Sequence, residues 1–385
     1  MVFNTDKIVL VPNDIDLRFS KVSREVGEDT FVLGAFNPGF NRLPNGNLIM
    51  MVRIAEALKE PIVNGRIHAI RWDEKIGFCL DSYPINEVDT NDPRKFSLKK
   101  YKLFSVNALT SISWLLPVEI SGDGLELVKI HYDKAIFPDR SSQEYGIEDG
   151  RISKIEDKYY MTTCSVSSER QGTTLYSSSN GLDYKFEGLI LDHQNKDMLL
   201  FEGKVNNMYY ALTRPLGSLY FATVPDSRYN PGPTINIAQS PDLLHWKPGD
   251  TPFIRPSVSG HSTMKIGGGA QPVLTEYGWL VIYHGVEAKE EVGVYRTFMA
   301  LLDKDKPWQV IFIEEIEPVL EARPELTAHI KNQIYLEDVV FTTGIIDSGE
   351  NFIVASGELD LCCRITHIPK DFIIQKIRNN LKQRE

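Results

Sequence analysis

The feature that most constrains this chain is a recurrence of short strand-type runs cut by explicit turns. Asn47–Arg53, Ile67–Trp72, Tyr159–Ser165, Thr173–Ser177, Met208–Leu212, Leu219–Thr223, Ile235–Gln239, Trp279–His284, Thr297–Leu302 and Phe352–Ser356 are apolar or alternating runs rich in Val, Ile, Tyr, Phe and Thr. That composition and period belong to strands rather than helices. Pro44-Asn45-Gly46 and Asn180-Gly181 are hairpin punctuation. Sustained helical periodicity is confined to Lys370–Lys382, just after Pro369.

One turn occurs twice. Ser178-Ser179-Asn180-Gly181-Leu182-Asp183-Tyr184 and Ser240-Pro241-Asp242-Leu243-Leu244-His245-Trp246 share the pattern Ser-x-(Asp/Asn)-x-Leu-x-(Trp/Tyr). Repetition at several tens of residues in strand-type sequence favours a radial β-propeller over a large β-sandwich. The chain therefore reads as all-β: a propeller over 1–368 and a C-terminal helix, 369–385, packed on its outside. The polar stretch Glu87–Tyr101, with Asp89, Asp92, Pro93 and Arg94, reads as a solvated loop; overhanging the site or carrying a homo-oligomer contact are its alternatives.

Charge excludes some functions. Lys and Arg number 42 against 52 Asp and Glu, a formal net charge of −10. Nucleic-acid binding, which needs a basic surplus to neutralise phosphates, is not expected. Apolar runs such as Leu48–Val52 fall far short of the ~18–20 residues that span a bilayer, so no membrane association is expected. Met1-Val2-Phe3-Asn4-Thr5-Asp6-Lys7 lacks the basic and apolar regions of a signal peptide. Cys79, Cys164, Cys362 and Cys363 form no CxxC pair. Neighbours on a strand point to opposite faces, so Cys362 and Cys363 suit neither a disulfide nor a metal. These features predict a cytoplasmic protein with free thiols.

Polar clusters lie beside the strands. Gln143–Arg151 holds Glu144, Glu148, Asp149 and Arg151, with two glycines, Gly146 and Gly150, among them. Such a set can tune a catalytic acid or clamp sugar hydroxyls; on composition alone a charged surface turn serves as well. Further clusters are His193–Asp197 with Phe201-Glu202-Gly203-Lys204, Thr213-Arg214-Pro215, and Gly267-Gly268-Gly269 leading to Tyr283-His284-Gly285-Val286-Glu287. The glycine run is neither a Walker motif nor a dinucleotide fingerprint. His284 alone suits a structural histidine. The eight histidines lack zinc spacing, and no nucleophile elbow is present. No metal or organic cofactor is expected.

Glu148-Asp149-Gly150-Arg151-Ile152, Asn195-Lys196-Asp197-Met198-Leu199-Leu200-Phe201, Thr213-Arg214-Pro215, the Ser240–Trp246 turn and Tyr283-His284-Gly285-Val286 occur in that order. In order and spacing they resemble the signature blocks of glycoside hydrolase family 130, the β-mannoside phosphorylases and β-mannosidases. The similarity runs from about Asn37 to about Ile368 and includes Val339–Gly344 and Gly357–Asp360. It implies a five-bladed propeller with an axial site, and cleavage of a β-linked mannoside with inversion. By resemblance Asp149 is the general acid, acting through a sugar hydroxyl in at least some members. Asn37, Arg53 and Asp360 are expected to hold the sugar, and Glu148, Arg151, Asn195, Lys196, Asp197, Arg214 and His284 to line the substrate site.

The departures bear on mechanism. The family's Glu-Asp-Pro-Arg and His-Arg-Pro read here with Gly150 and Thr213. A phosphate site needs convergent cations, and Lys196, Arg214 and Arg170 are the candidates. A thinned basic set favours an inverting hydrolase of the β-mannosidase type. That reaction needs a carboxylate base ~6.5–9.5 Å from the acid, with Glu202 and Glu287 as candidates. The first alternative is a phosphorylase, using inorganic phosphate as co-substrate and releasing mannose 1-phosphate. The second is a sugar-binding propeller without catalysis.

Overall fold

The computed structural model describes residues 3–102, 105–217 and 219–382. Met1, Val2 and residues 383–385, the ends of the two expected segments, lie outside them. Strands dominate, in antiparallel meanders of four. Thr30–Arg42, Leu48–Leu58, Ser111–Ile120 and Leu127–Ile130 make one, and Gly146–Ile155, Lys158–Val166, Gln171–Ser178 and Lys185–Leu191 the next. A single parallel pair, Ser113 with Gly146, joins these two into one eight-stranded sheet. Asn195–Val205, Met208–Pro215, Asn236–Ser240 and Lys247–Pro248 form a third unit. Lys265–Gly268, Gly278–Glu287, Val294–Leu302 and Val310–Ile313 form a fourth, with a short fifth strand, Val273–Thr275, paired to Gly278–Glu287 beside the first. In the last, Val340–Ser348, Asn351–Glu358 and Cys362–Pro369 are completed by the N-terminal strand Asp6–Leu10.

The first strands of these units are tied to one another. Asn41 Nδ2 donates to Ile152 O (3.3 Å), Ser153 Oγ to Leu200 O (2.9 Å), Arg151 Nε to Gly269 O (2.6 Å) and Thr343 Oγ1 to Pro38 O (2.8 Å). Apolar faces of adjacent sheets fill the space between. Met50, Val52 and Trp114 pack with Ile353 and Ile365, and Leu199, Phe201 and Leu212 with Val281, Tyr283 and Phe298. The repeated turn is one structure used twice. Ser178 Oγ and Ser240 Oγ each accept from the backbone N–H groups two and three residues on. Asn180 Oδ1 and Asp242 Oδ1 do the same.

The first and last strands are joined through a buried ion cluster. Asp6 accepts from Arg364 Nε and Nη2 (both 2.7 Å), Arg323 Nη1 (2.8 Å) and Thr366 Oγ1 (2.9 Å). Arg364 Nη1 also reaches Glu358 Oε2 at 2.9 Å. The C-terminal helix Lys370–Lys382 buries Ile373 and Ile377 against Phe3, Val354 and Ile368.

Two expectations change. Residues 219–223 are not a strand. Glu87–Tyr101 is not a solvated loop: Val88–Asp89, Lys95–Leu98 and Asn107–Leu109 make a three-stranded sheet. Its Val88, Phe96 and Ala108 form a small core with Ile67 and Ala69, which the surrounding charges hid. All four cysteines are free, and Cys362 and Cys363 pack into different apolar clusters. Among the described residues no helix is long and apolar enough to cross a membrane.

Candidate active site

Three inner strands carry a register shift at one acidic or amide residue. The shifts fall between Phe36 and Gly39, between Glu148 and Arg151, and between Lys196 and Leu199. Inside them Asn37 (φ 48°), Asp149 (φ 51°) and Asp197 (φ 51°) adopt left-handed backbone. Asp360 (φ 50°) does so in the turn before Cys362–Pro369. Asn and Asp tolerate this region better than other side chains, and strain of this kind concentrates at functional sites. Each bulge re-aims one side chain off the regular alternation of its strand.

Asn37, Asp149 and Asp360 thereby line a cavity of about 250 Å³. Six basic residues (Arg53, Arg94, Lys95, Lys196, Arg214 and Lys265) and four acidic ones (Asp92, Glu148, Asp149 and Asp360) share its wall with Phe36, Tyr295 and Tyr335. Arg53 bridges consecutive carboxylates: Nη2 lies 2.9 Å from Glu148 Oε1 and Nη1 3.1 Å from Asp149 Oδ1. Lys196 Nζ holds the other Glu148 oxygen at 2.6 Å. Asn37 Nδ2 donates to Asp149 Oδ1 at 3.0 Å. Room for Asn37 depends on Gly357, where a Cβ would collide with the Asn37 amide oxygen.

A buried layer supports this wall. Arg151 Nη1 donates to Asp149 O at 2.9 Å, and Arg151 Nη2 lies 3.5 Å from Asp197 Oδ1. Asp197 Oδ2 sits 3.0 Å from Arg214 Nε, close enough for ion pairing but out of line for a hydrogen bond. Arg214 Nη1 donates to His284 Nε2 at 3.1 Å, and Arg214 N to Asn195 Oδ1 at 3.3 Å. Gly267 lets these groups meet: a Cβ there would lie 2.7 Å from both Arg214 Cδ and Asp197 Oδ2. Arg151, Asn195, Asp197 and His284 therefore position wall residues rather than line the cavity.

The environment separates the titrating groups. Burial works to raise Asp149, but the charges of Arg53, Lys196 and Arg151 and the Asn37 amide outweigh it and hold the carboxyl well below the usual range. Burial opposes Glu148 in the same way, and Arg53 and Lys196 keep it ionised. Asp360 is the exception. Burial, with the charges of Asp149 and Glu148, pushes it up to about 6 against the pull of Arg53 and Arg94. Burial and the neighbouring Arg214 drive His284 well below its ordinary value. It is neutral, and because Nε2 accepts from a guanidinium, its proton sits on Nδ1.

Three expected residues lie elsewhere. Glu202 accepts from Lys154 N (2.8 Å) and Asn41 Nδ2 (3.1 Å), and Glu287 pairs with Arg296 (2.6 Å) and His261 (3.0 Å). Neither carboxylate lines the cavity: Glu202 is turned to Asn41 and Lys154, and Glu287 to Arg296 and His261. Arg170 faces outward to Asp192, with Nη1 3.0 Å from its carbonyl oxygen. Asp92, Arg94 and Lys95 come from the Glu87–Tyr101 stretch, for which overhanging the site was only an alternative, and Lys265, Tyr295 and Tyr335 were missed from sequence. Lys265 had a signal, standing two residues before the glycine run; Tyr295 and Tyr335 had none.

A family model for glycoside hydrolase family 130, described as β-1,4-mannooligosaccharide phosphorylase, matches residues 103–379. A β-1,2-mannobiose phosphorylase of Listeria innocua is 30% identical over 351 residues, covering 88% of this chain and 89% of that one. A 1,2-β-oligomannan phosphorylase of Thermoanaerobacter is 33% identical over 245 residues, 63% of this chain and 74% of its own. The solved complex of the Listeria innocua β-1,2-mannobiose phosphorylase with β-1,2-mannobiose superposes with a TM-score of 0.80 at 28% identity, covering 97% of both chains.

Proposed function

The chain belongs to glycoside hydrolase family 130 and is an enzyme acting on glycosides, and from that premise we propose that it is an inverting β-mannoside phosphorylase. The observation that carries this is the cavity wall: Lys196, Arg214 and Lys265 line the same small cavity as Asp149. Six basic residues against four acidic ones, in a chain of net charge −10, leave a surplus that an inorganic phosphate balances. The relatives described above are named as phosphorylases, which supports the same reading. The hydrolase reading loses its support, since neither Glu202 nor Glu287 reaches the cavity.

In the proposed reaction a phosphate oxygen attacks the anomeric carbon of the β-mannoside. The carbon–oxygen bond to the leaving sugar breaks, and the departing oxygen takes a proton. Mannose 1-phosphate and the shortened sugar are released. An ionised Asp149 carries no proton to give directly. Turnover therefore begins with a proton that entering dihydrogen phosphate gives to Asp149. Asp149 passes it to a mannose hydroxyl as that hydroxyl gives its own proton to the leaving oxygen, and the hydrogen phosphate left behind attacks. Lys196, Arg214 and Lys265 hold the phosphate, with Arg214 fixed by Asp197 and His284. Asn37, Arg53 and Asp360 hold the sugar. The five four-stranded units are read as the blades of a five-bladed propeller, closed by Asp6–Leu10 and with the cavity at its axis.

The test is incubation with β-1,2-mannobiose and β-1,4-mannobiose, with and without phosphate. Mannose 1-phosphate forming only with phosphate is the expected result, with β-1,2-mannobiose the better substrate. Free mannose released equally fast without phosphate would overturn the reading.

A further inference from the structure

The Val88–Asp89, Lys95–Leu98 and Asn107–Leu109 sheet lies outside the four-stranded units, yet it puts three charged side chains on the cavity wall, Lys95 and the pair Asp92 and Arg94. The geometry of the pair is fixed. Arg94 Nε and Nη2 each lie 2.9 Å from one oxygen of Asp92, and Arg94 N donates to Asp92 Oδ1 at 3.0 Å. The backbone is clamped as well: Thr110 N donates to Arg94 O (3.1 Å) and Thr110 Oγ1 to Pro93 O (2.9 Å). The Asp92 side chain is 12% exposed and that of Arg94 33%, so the pair is held in place without being sealed off.

A guanidinium has five N–H donors and a carboxylate about four acceptor positions. Asp92 occupies two of the Arg94 donors, and three donors on Arg94 fill all but about one of the Asp92 positions. No other hydrogen-bond or ion-pair partner for either side chain occurs among the described residues, although Asp92 feels the charge of Lys95 and Arg94 that of Asp360. The pair is neutral overall and offers donors with a neighbouring acceptor. Neighbouring sugar hydroxyls, each of which donates and accepts, match that set. A phosphate does not: its oxygens accept, and the Asp92 charge repels it.

We propose that the Asp92–Arg94 pair contacts the sugar of the β-mannoside, making Arg94 a specificity-determining residue supplied by the small sheet. This rests on the cavity being a β-mannoside site. The pair acts on sugar affinity, whereas Lys196, Arg214 and Lys265 act on phosphate.

The experiment measures phosphorolysis of β-1,2-mannobiose by the full chain, varying sugar and phosphate in turn. Arg94→Gln should raise KM for the sugar roughly ten- to a hundredfold, the range for hydrogen bonds lost from a charged group, with KM for phosphate unchanged. Arg94→Lys should not rescue it, because an ammonium keeps the charge but lacks the fork. Asp92→Asn should move the sugar KM in the same direction, and carries the test if Arg94→Gln melts early. A rise in the phosphate KM instead, rescue by lysine, or no change in either constant overturns the proposal. Should wild type turn over no mannoside, the reading of the site fails first. Calorimetric binding of β-1,2-mannobiose to wild type and Arg94→Gln then decides this proposal: equal affinities, or no binding by either, overturn it.

Discussion

Asn37 Nδ2 and Asp149 Oδ1 meet at 3.0 Å across 112 positions of sequence, each from a left-handed backbone position. Two strained residues on different strands thus hold one hydrogen bond at the cavity, and the bond helps keep Asp149 ionised. Asp149→Asn should lower kcat by roughly 10²–10⁴, the range for a lost proton-transfer group. Asn37→Ala should cost less. It should also move the alkaline limb of kcat/KM to higher pH, because removing a donor to the carboxylate raises its pKa and the acid acts in its protonated form. Mannose 1-phosphate release across a pH series checks both, and an unmoved limb would contradict the role given to Asn37.

Cations at the cavity should separate from cations elsewhere. Lys265→Met and Arg214→Met should each raise KM for phosphate about tenfold or more, from loss of a charge-assisted hydrogen bond. Arg170→Ala should leave it unchanged, since that side chain is 41% exposed and turned toward Asp192. Initial rates at varied phosphate distinguish them. A larger effect from Arg170 than from Lys265 would place the anion elsewhere.

Glu202→Gln and Glu287→Gln should keep close to wild-type kcat, since neither carboxylate reaches the cavity. The Glu287 change breaks a part-exposed pair with Arg296, worth no more than about 1 kcal/mol. A loss of a hundredfold in either variant would restore a general base, and with it the hydrolytic reading.

These contrasts show what sequence could reach. The strand periods and the doubled Ser-x-(Asp/Asn)-x-Leu turn were legible because side chain and backbone solve one local problem there: Ser240 and Asp242 cap four N–H groups within six residues. Asn37, Arg53, Glu148, Asp149, Lys196, Arg214 and Asp360 were legible through motif order and do line one cavity. Glu202 and Glu287 misled because motif membership says nothing about which face of a strand a residue takes. Arg94 was legible only as part of a stretch that could overhang the site, and Tyr335 was out of reach, because long-range packing alone brings them to Asp360. Arg94 opposes the rise of that carboxyl, and Tyr335 Oη donates to its backbone oxygen at 3.2 Å.

Asp360 should link activity to a cost in stability. Its carboxyl rises from 3.8 to about 6 on folding, so between those values the folded chain holds the proton more tightly than the unfolded chain. Stability therefore falls as pH rises from about 4 to 6 and then levels off. Asp360→Asn removes the buried charge. It should raise stability at pH 7.5 by about 1–2 kcal/mol, a figure reduced for partial solvent screening, while impairing turnover. The gain should vanish near pH 4. Thermal melts at the two pH values check this; equal shifts at both would assign the effect to packing instead.

The Asp6 cluster makes the opposite prediction. Burial acts to raise the Asp6 carboxyl, but Arg364 and Arg323 outweigh it and lower it below 3.8. Its stabilisation is therefore present at neutral pH and lost as pH falls through the folded value. Asp6 belongs to the first strand and Arg364 to the last of the same sheet, so the pair holds the two ends of the chain together. Asp6→Asn leaves a fully buried guanidinium with one carboxylate partner, Glu358, and should cost roughly 3 kcal/mol, as when one member of a buried pair is removed. Adding Arg364→Met should cost less than the sum of the two single changes, because the Asp6–Arg364 interaction is lost only once. Denaturant unfolding of the two single variants and the double variant at pH 7.5 gives the coupling. Simple additivity would mean that pairing of the first and last strands does not depend on this ion pair, and that the apolar contacts of Leu10 and Ile365 suffice to close the sheet.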